Sequence, residues 1–147
     1  MIVPVFVDSN IWVYKNSPIQ ISKAAIAENW IRRLEAEHDI WISYQVVVEF
    51  YNIVIRGLVH PHERFNARDD TRDLLKLKLI EHDASLIERA WAIQDRYRFS
   101  WWDATIIAAA QQARCKYLLT EDLQHRQDID GLIVIDPFQT EPTEILG

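Results

Sequence analysis

Residues 2–10 read IVPVFVDSN, an apolar run that stops abruptly at Asp8, Ser9 and Asn10. A short run rich in Val and Ile predicts a strand buried on both faces. Asp-Ser-Asn directly after it predicts a turn that opens a helix. Such a strand delivers the Asp8 carboxylate to the carboxyl end of a parallel sheet, where open α/β folds keep their sites.

The rest of the chain repeats the alternation. Ser22–Glu37 sets Ile26, Ala27, Trp30, Ile31 and Leu34 on one helical face, with Ser22 as its N-cap. Asp39–Ile42 reads as a second strand, and Ser43–Arg56 as a helix stopped at Gly57. His62–Asp73 reads as a weakly amphipathic helix. Leu74–Ile80 alternates Leu and Lys, the pattern of a strand with one wet face, and Lys76 and Lys78 suit a sheet edge. Asp83 caps a helix reaching about Arg98 with Leu86, Ile87, Ala90, Trp91 and Tyr97 inward. Ser100 caps Trp101–Arg114. Tyr117–Thr120 and Leu132–Ile135 are the last strands, separated by a polar loop or short helix over Leu123–Asp130. Strands alternating with helices throughout predict one domain, residues 1–147, built on a mostly parallel sheet with helices on both faces.

Composition narrows the function classes. The chain has 147 residues, enough for one domain with a real core. A single cysteine, Cys115, rules out an intramolecular disulfide and suits a reducing, cytoplasmic setting; beside Arg114 and Lys116 it reads as a half-buried structural thiol. No run nears the length of a membrane span, and Ile2–Val7 is too short for a signal core and lacks a basic leader. The net charge of −6 argues against a protein that grips phosphates with a broad basic face. That objection weakens if several carboxylates are metal ligands, since two bound divalent cations bring the balance to about −2.

Four carboxylates fall where a site can form. Asp8 follows the first strand, and as a single residue it is equally a turn or cap aspartate. Glu49 lies with Gln45, Asn52 and Arg56 on one polar stripe of an otherwise apolar helix. A stripe so narrow fits a polar site better than open water. Asp103 sits three residues after Ser100, nearly a capping box, and a first-turn carboxylate also suits the helix dipole. Asp122 follows the fourth strand, with Glu121 as a competing carboxylate. Asp8 and Asp122 each follow a strand, and Asp103 opens the helix leading into one, so all can meet at one sheet edge. Unpaired acids crowded there repel and raise one another's pKa. Hard divalent cations remove that cost. Mg²⁺ accepts oxygen ligands and retains waters, and two ions held about 4 Å apart stabilise the attacking and leaving oxygens at a phosphodiester.

Other constellations are poorer. His60 and His62 lack a third ligand for zinc. No Gly-rich phosphate loop is present, and none of the serines sits in a nucleophile elbow. The six tryptophans read mainly as core, with Trp101 and Trp102 bordering the acids, where an indole can stack on a base. Arg96 and Arg98 are either phosphate contacts or a solvated helix end.

Four motifs taken together carry a family resemblance: VFVDSNIWVY, SYQVVVEFYNI, YRFSWWDATIIAAA and LLTEDLQHRQDIDGLIVIDPF. In order and spacing the chain resembles the PIN-domain ribonucleases, and among them the VapC-type toxins of bacterial toxin–antitoxin pairs. The resemblance implies a three-layer α/β/α sandwich on a five-stranded, mostly parallel sheet of order 3-2-1-4-5. It implies that Asp8, Glu49, Asp103 and Asp122 are catalytic metal-binding acids, with Ser9 and Thr120 as supporting hydroxyls. It also implies Mg²⁺ as cofactor, with Mn²⁺ able to substitute, an RNA substrate cut at specific sites, a small cognate antitoxin, and a homodimer. Two departures stand out. Arg126 occupies a position usually held by glycine, so the loop backbone is expected to differ and the guanidinium to offer a phosphate contact. Asp136 stands where asparagine is common.

Rival readings fare worse. A PIN-fold module that binds RNA or antitoxin without cutting is disfavoured by retention of all the acids. A phosphoaspartate phosphatase built on Asp8 wants a second aspartate at position 10, which is Asn. A receiver-type signalling domain wants a lysine where the chain has Thr120-Glu121-Asp122.

Overall fold

A computed structural model describes residues 1–58 and 60–147. Strand β1 (Pro4–Val7) is the centre of the sheet, and Val5, Phe6 and Val7 are all buried. Burial of successive side chains, which point to opposite faces, means that helices cover both sides. β1 pairs in parallel with β2 (Asp39–Ser43) and β4 (Tyr117–Leu119). β2 pairs outward with β3 (Lys78–Ile80), and β4 with β6 (Leu132–Ile135).

The parallel strands keep the expected 3-2-1-4-5 order, and one further strand extends it. β5 (Asp128–Ile129) lies antiparallel against β6, giving the six-stranded order β3-β2-β1-β4-β6-β5. The segment expected to be a polar loop or short helix therefore ends in an edge strand. Its two residues are too few to show a period, and the hairpin is set by Gly131, at φ +97°, whose N–H donates to Asp128 Oδ1.

The helices are α1 (Ser9–Lys15), α2 (Ile21–Glu37), α3 (Tyr44–Arg56), α4 (Arg64–Leu74), α5 (Ala84–Tyr97), α6 (Trp101–Gln112) and α7 (Pro142–Leu146). Asp83 and Ser100 cap α5 and α6 as expected, accepting from the N–H groups of Leu86 and Asp103. Ser43 ends β2 and caps α3 rather than lying within it.

Other expectations need correction. Ser22 does not cap α2; the helix begins at Ile21 after Gln20, with no side-chain cap. The alternating Leu74–Ile80 run is only half strand. Leu74 ends α4, and the N–H groups of Leu75, Lys76 and Leu77 still bond back into that helix, so helical hydrogen bonding takes the first half of the pattern. Lys78 does guard the edge, bonding Asp39 on β2 at 3.0 Å. Trp91 is 51% exposed rather than inward, and Ile26 is exposed too. Cys115 is buried just past α6 rather than half-buried within it, and burial pushes its thiol up to about 12, which keeps it protonated. Among the described residues no helix is long and apolar enough to cross a membrane.

Candidate functional site

Sheet register sets the first two groups. The Asp8 N–H donates to Leu119 O, and the Thr120 N–H to Ile135 O, each at 3.0 Å. The ladder thus runs one step beyond β1 and β4 and holds Asp8 and Thr120 side by side at the carboxyl edge. Thr120 Oγ1 donates to Asp8 Oδ2 at 2.9 Å, while Asp8 Oδ1 accepts the Ser9 N–H at 2.7 Å. Asp8 is therefore both the N-cap of α1 and a site residue; the two readings of it coexist.

Ser9 carries the connection to α3. Its Oγ donates to Glu49 Oε2 at 2.8 Å. Glu49 Oε1 accepts from Gln45 Nε2 at 2.8 Å, and Gln45 Oε1 accepts from the buried Thr105 hydroxyl of α6 at 2.7 Å. The polar stripe of α3 is split: Gln45 and Glu49 turn to the site, whereas Asn52 and Arg56 are exposed.

Asn10 carries the connection to the β4 loop, and the sequence reading did not place it in the site. Its Nδ2 reaches Asp122 Oδ2 at 2.9 Å and Thr120 Oγ1 at 3.1 Å, and the Asp122 N–H donates to the same Thr120 oxygen at 3.2 Å. The available signal was position: two residues after a strand-end aspartate, on the first turn of a helix, a side chain faces the same edge.

Asp103 opens α6 with its N–H bonded to Ser100 Oγ at 3.2 Å. Burial raises its pKa; the Ser100 hydroxyl opposes this, and the charges of Asp122 and Glu49 add to it. Burial likewise lifts Asp8 to about 7, against the Ser9 N–H and Thr120 hydroxyl and with the charges of Glu49 and Asp122. Glu49 and Asp122 thus lie within electrostatic range of both Asp8 and Asp103. Glu121, the competing carboxylate, turns away. It pairs with Lys23 Nζ at 2.8 Å and accepts from the Tyr14 hydroxyl, while Lys23 lies over the Tyr14 and Phe138 rings. Burial raises the Glu121 pKa, but Lys23 and Tyr14 outweigh it and leave the group lowered and ionised.

The donor set suits a hard cation: all oxygen, strongly acidic, and with one member, Asp8, buried enough that it holds its proton near neutrality, an effect the charges of Glu49 and Asp122 add to. Asn10 Oδ1 is buried there without a hydrogen-bond partner, a further oxygen open to an ion or its water. Among the described residues, no three Asp, Glu, His or Cys side chains already close on one point as a finished coordination shell. Asp8 instead lies buried at the centre of a hydrogen-bond chain whose two ends are Glu49 and Asp122.

The remaining candidates lie elsewhere. Arg96 is bonded to Asp130 at 3.0 Å, in the turn before β6 and hence at the amino edge of the sheet, opposite the acids. Arg98 is exposed and ends α5 with φ +61°. Arg126 keeps the left-handed backbone that favours glycine, at φ +68°, and its N–H bonds Val134 O at 2.7 Å. Asp136 also gains an explanation: its carboxylate accepts from the Phe138 N–H and Gln139 Nε2, both at 2.9 Å, and so fastens the turn through Pro137.

Comparison with known families settles what kind of domain carries this edge. The model of the PIN domain matches residues 5–128, from β1 through the start of β5. The chain belongs to the PIN domain family. Solved structures with a similar PIN fold include a toxin–antitoxin complex from Klebsiella pneumoniae (24% identity over 90% of this chain and 97% of that one, TM-score 0.66). Another is VapBC2 from Rickettsia felis bound to a DNA fragment from their promoter (19% identity, 90% and 97% covered, TM-score 0.67). A third is VapC20 from Mycobacterium tuberculosis, a sarcin–ricin loop cleaving toxin (20% identity, 78% and 86% covered, TM-score 0.61). At these identities the likeness is one of fold. No curated protein matches the sequence.

Proposed function

We propose that this PIN domain is a metal-dependent endoribonuclease and the toxin of a toxin–antitoxin pair. The observation that supports it most is the linkage of Asp8, Ser9 and Glu49 on one side and Asp8, Thr120, Asn10 and Asp122 on the other, at one sheet edge. That arrangement serves no core and leaves Asp8 with a pKa of about 7. Asp8, Glu49, Asp103 and Asp122 would hold one or two Mg²⁺ ions, with Mn²⁺ as substitute. When bound, the metal activates water and stabilises charge at the phosphodiester.

The chain's own residues prepare that chemistry. Thr120 and Ser9 fix the oxygens of Asp8, and Gln45 fixes Glu49, so the acids need little reorganisation. The side chains bonded at this edge supply ligands and orientation. Arg98 and Arg126, exposed and free of ion pairs among the described residues, are the candidates for phosphate contacts; Arg96 contributes only if it leaves Asp130.

Likeness to chains solved with antitoxins supports a small protein inhibitor as partner, and a homodimer is part of the same proposal. The test is incubation of purified, antitoxin-free chain with total cellular RNA. Discrete fragments in Mg²⁺ and none in EDTA are expected. A folded chain that cuts nothing in Mg²⁺ or Mn²⁺ would instead be an RNA- or antitoxin-binding module.

A further inference from the structure

Next to the acids lies an open cleft of about 560 Å³ lined by Tyr44, Gln45, Val48, Glu49, His82 and Trp102. Its volume falls in the range of clefts that hold small molecules. Glu49 belongs to the cleft and the acid edge alike, and Trp102 directly precedes Asp103, so an occupant would lie beside the reacting group.

The walls define the occupant. Trp102 is 66% exposed, Val48 67% and Tyr44 44%, an unusual amount of large apolar surface to leave in water at one place. Trp102 lies in the first turn of α6, so the indole projects from a helical backbone. The one amide in the wall is already committed, because Gln45 bonds Thr105 and Glu49 with its two ends. The Tyr44 hydroxyl and the His82 imidazole remain. Burial lowers the His82 pKa, so at neutral pH its ring offers one donor and one acceptor. With Glu49 alongside, an anion is repelled. A flat, uncharged group with hydrogen-bonding edges matches all of this.

We infer, on the reading of the chain as a ribonuclease, that the cleft takes an unpaired nucleobase flanking the scissile phosphate, with Trp102 as stacking face and Tyr44 and His82 at the base edge. Stacking on an exposed indole is tolerant of sequence and contributes strongly to single-strand binding. Tyr44 and His82 then supply a preference among bases.

Two measurements test this separately from catalysis. In the first, uncharged nucleosides (adenosine, guanosine, cytidine and uridine) are titrated into the metal-free chain, and the tryptophan indole N–H resonances are followed by NMR, with Trp102→Phe identifying the Trp102 signal. At least one nucleoside should shift that signal saturably while ribose does not; no shift with any nucleoside overturns the inference. In the second, cleavage ends are mapped. Trp102→Ala should lower kcat/KM about tenfold or more, in line with loss of one stacked base, and relax the base preference at one position beside the cut, with Trp102→Phe largely restoring both. Wild-type chain that cuts while Trp102→Ala cuts the same sites equally well refutes the subsite and leaves the nuclease reading intact. Nucleoside binding by a chain that cuts no RNA does the reverse. A change of oligomeric state in Trp102→Ala, with no nucleoside shift, would assign the cleft to a second copy and overturn the inference.

Discussion

Ser9 Oγ donates to Glu49 Oε2 at 2.8 Å and lies 3.5 Å from Asp8 Oδ1, so one hydroxyl spaces two carboxylates that are 41 residues apart in sequence. Asp8 comes from the end of β1 and Glu49 from the middle of α3, and this is the hydrogen bond that joins them. Ser9→Ala should keep the fold and weaken Mg²⁺ binding about tenfold, as loss of ligand-orienting partners does. Ser9→Thr should retain most of the affinity. Calorimetric titration reads both; an unchanged affinity in Ser9→Ala would mean that Glu49 is held well enough without it.

Stability should depend on pH through Asp8. Its carboxyl titrates at 3.8 in the unfolded chain and about 7 in the fold. The folded state holds the proton more tightly, so the contribution is full below about pH 4 and is lost as pH rises through 7, on the order of 4 kcal/mol in total. Denaturant unfolding in EDTA should show wild type losing stability relative to Asp8→Asn across that window. Mg²⁺ should stabilise more strongly as pH rises past 7, because the ion requires the ionised carboxylate. A wild-type-to-variant difference that stays flat with pH contradicts this.

Asp122, not Glu121, should be the metal ligand of the β4 loop. Asp122→Asn is expected to weaken Mg²⁺ binding about tenfold or more. Glu121→Gln should leave it within about threefold and cost at most about 1 kcal/mol of stability, since the Lys23 pair is partly open to solvent. The same titration decides: the reverse ranking would exchange their roles.

Arg126 pays a backbone penalty at φ +68° that glycine would not. Arg126→Gly should therefore leave the melting temperature unchanged or raise it slightly, yet reduce the slope of log affinity against log salt for RNA by about one. A destabilised variant with an unchanged salt slope would assign the side chain a structural role.

Much of this was legible because strand ends announce themselves. The apolar runs before Asp8 and Asp122 gave parallel strands and the carboxyl edge, the family resemblance gave the strand order, and the Ser100 and Asp83 caps gave the starts of α6 and α5. What the pattern hid was local. β5 is too short to show a period, and the Leu/Lys alternation of residues 74–80 mimics a strand while its first half closes a helix. Asn10 was hidden differently. An asparagine on a first helical turn reads as a cap or surface residue, and only the fold brings it to a threonine and an aspartate more than a hundred residues away. The fate of Glu121 was equally invisible, because its partners lie on α1 and α2.

The most direct test of the central claim is RNA cleavage in Mg²⁺ by wild type beside Asp8→Asn and Asp103→Asn, each purified free of antitoxin and checked for folding. Wild type should give discrete fragments that disappear with EDTA, and both variants should lose at least about a hundredfold in rate. Cleavage that survives both substitutions would contradict the assignment of this sheet edge as the active site.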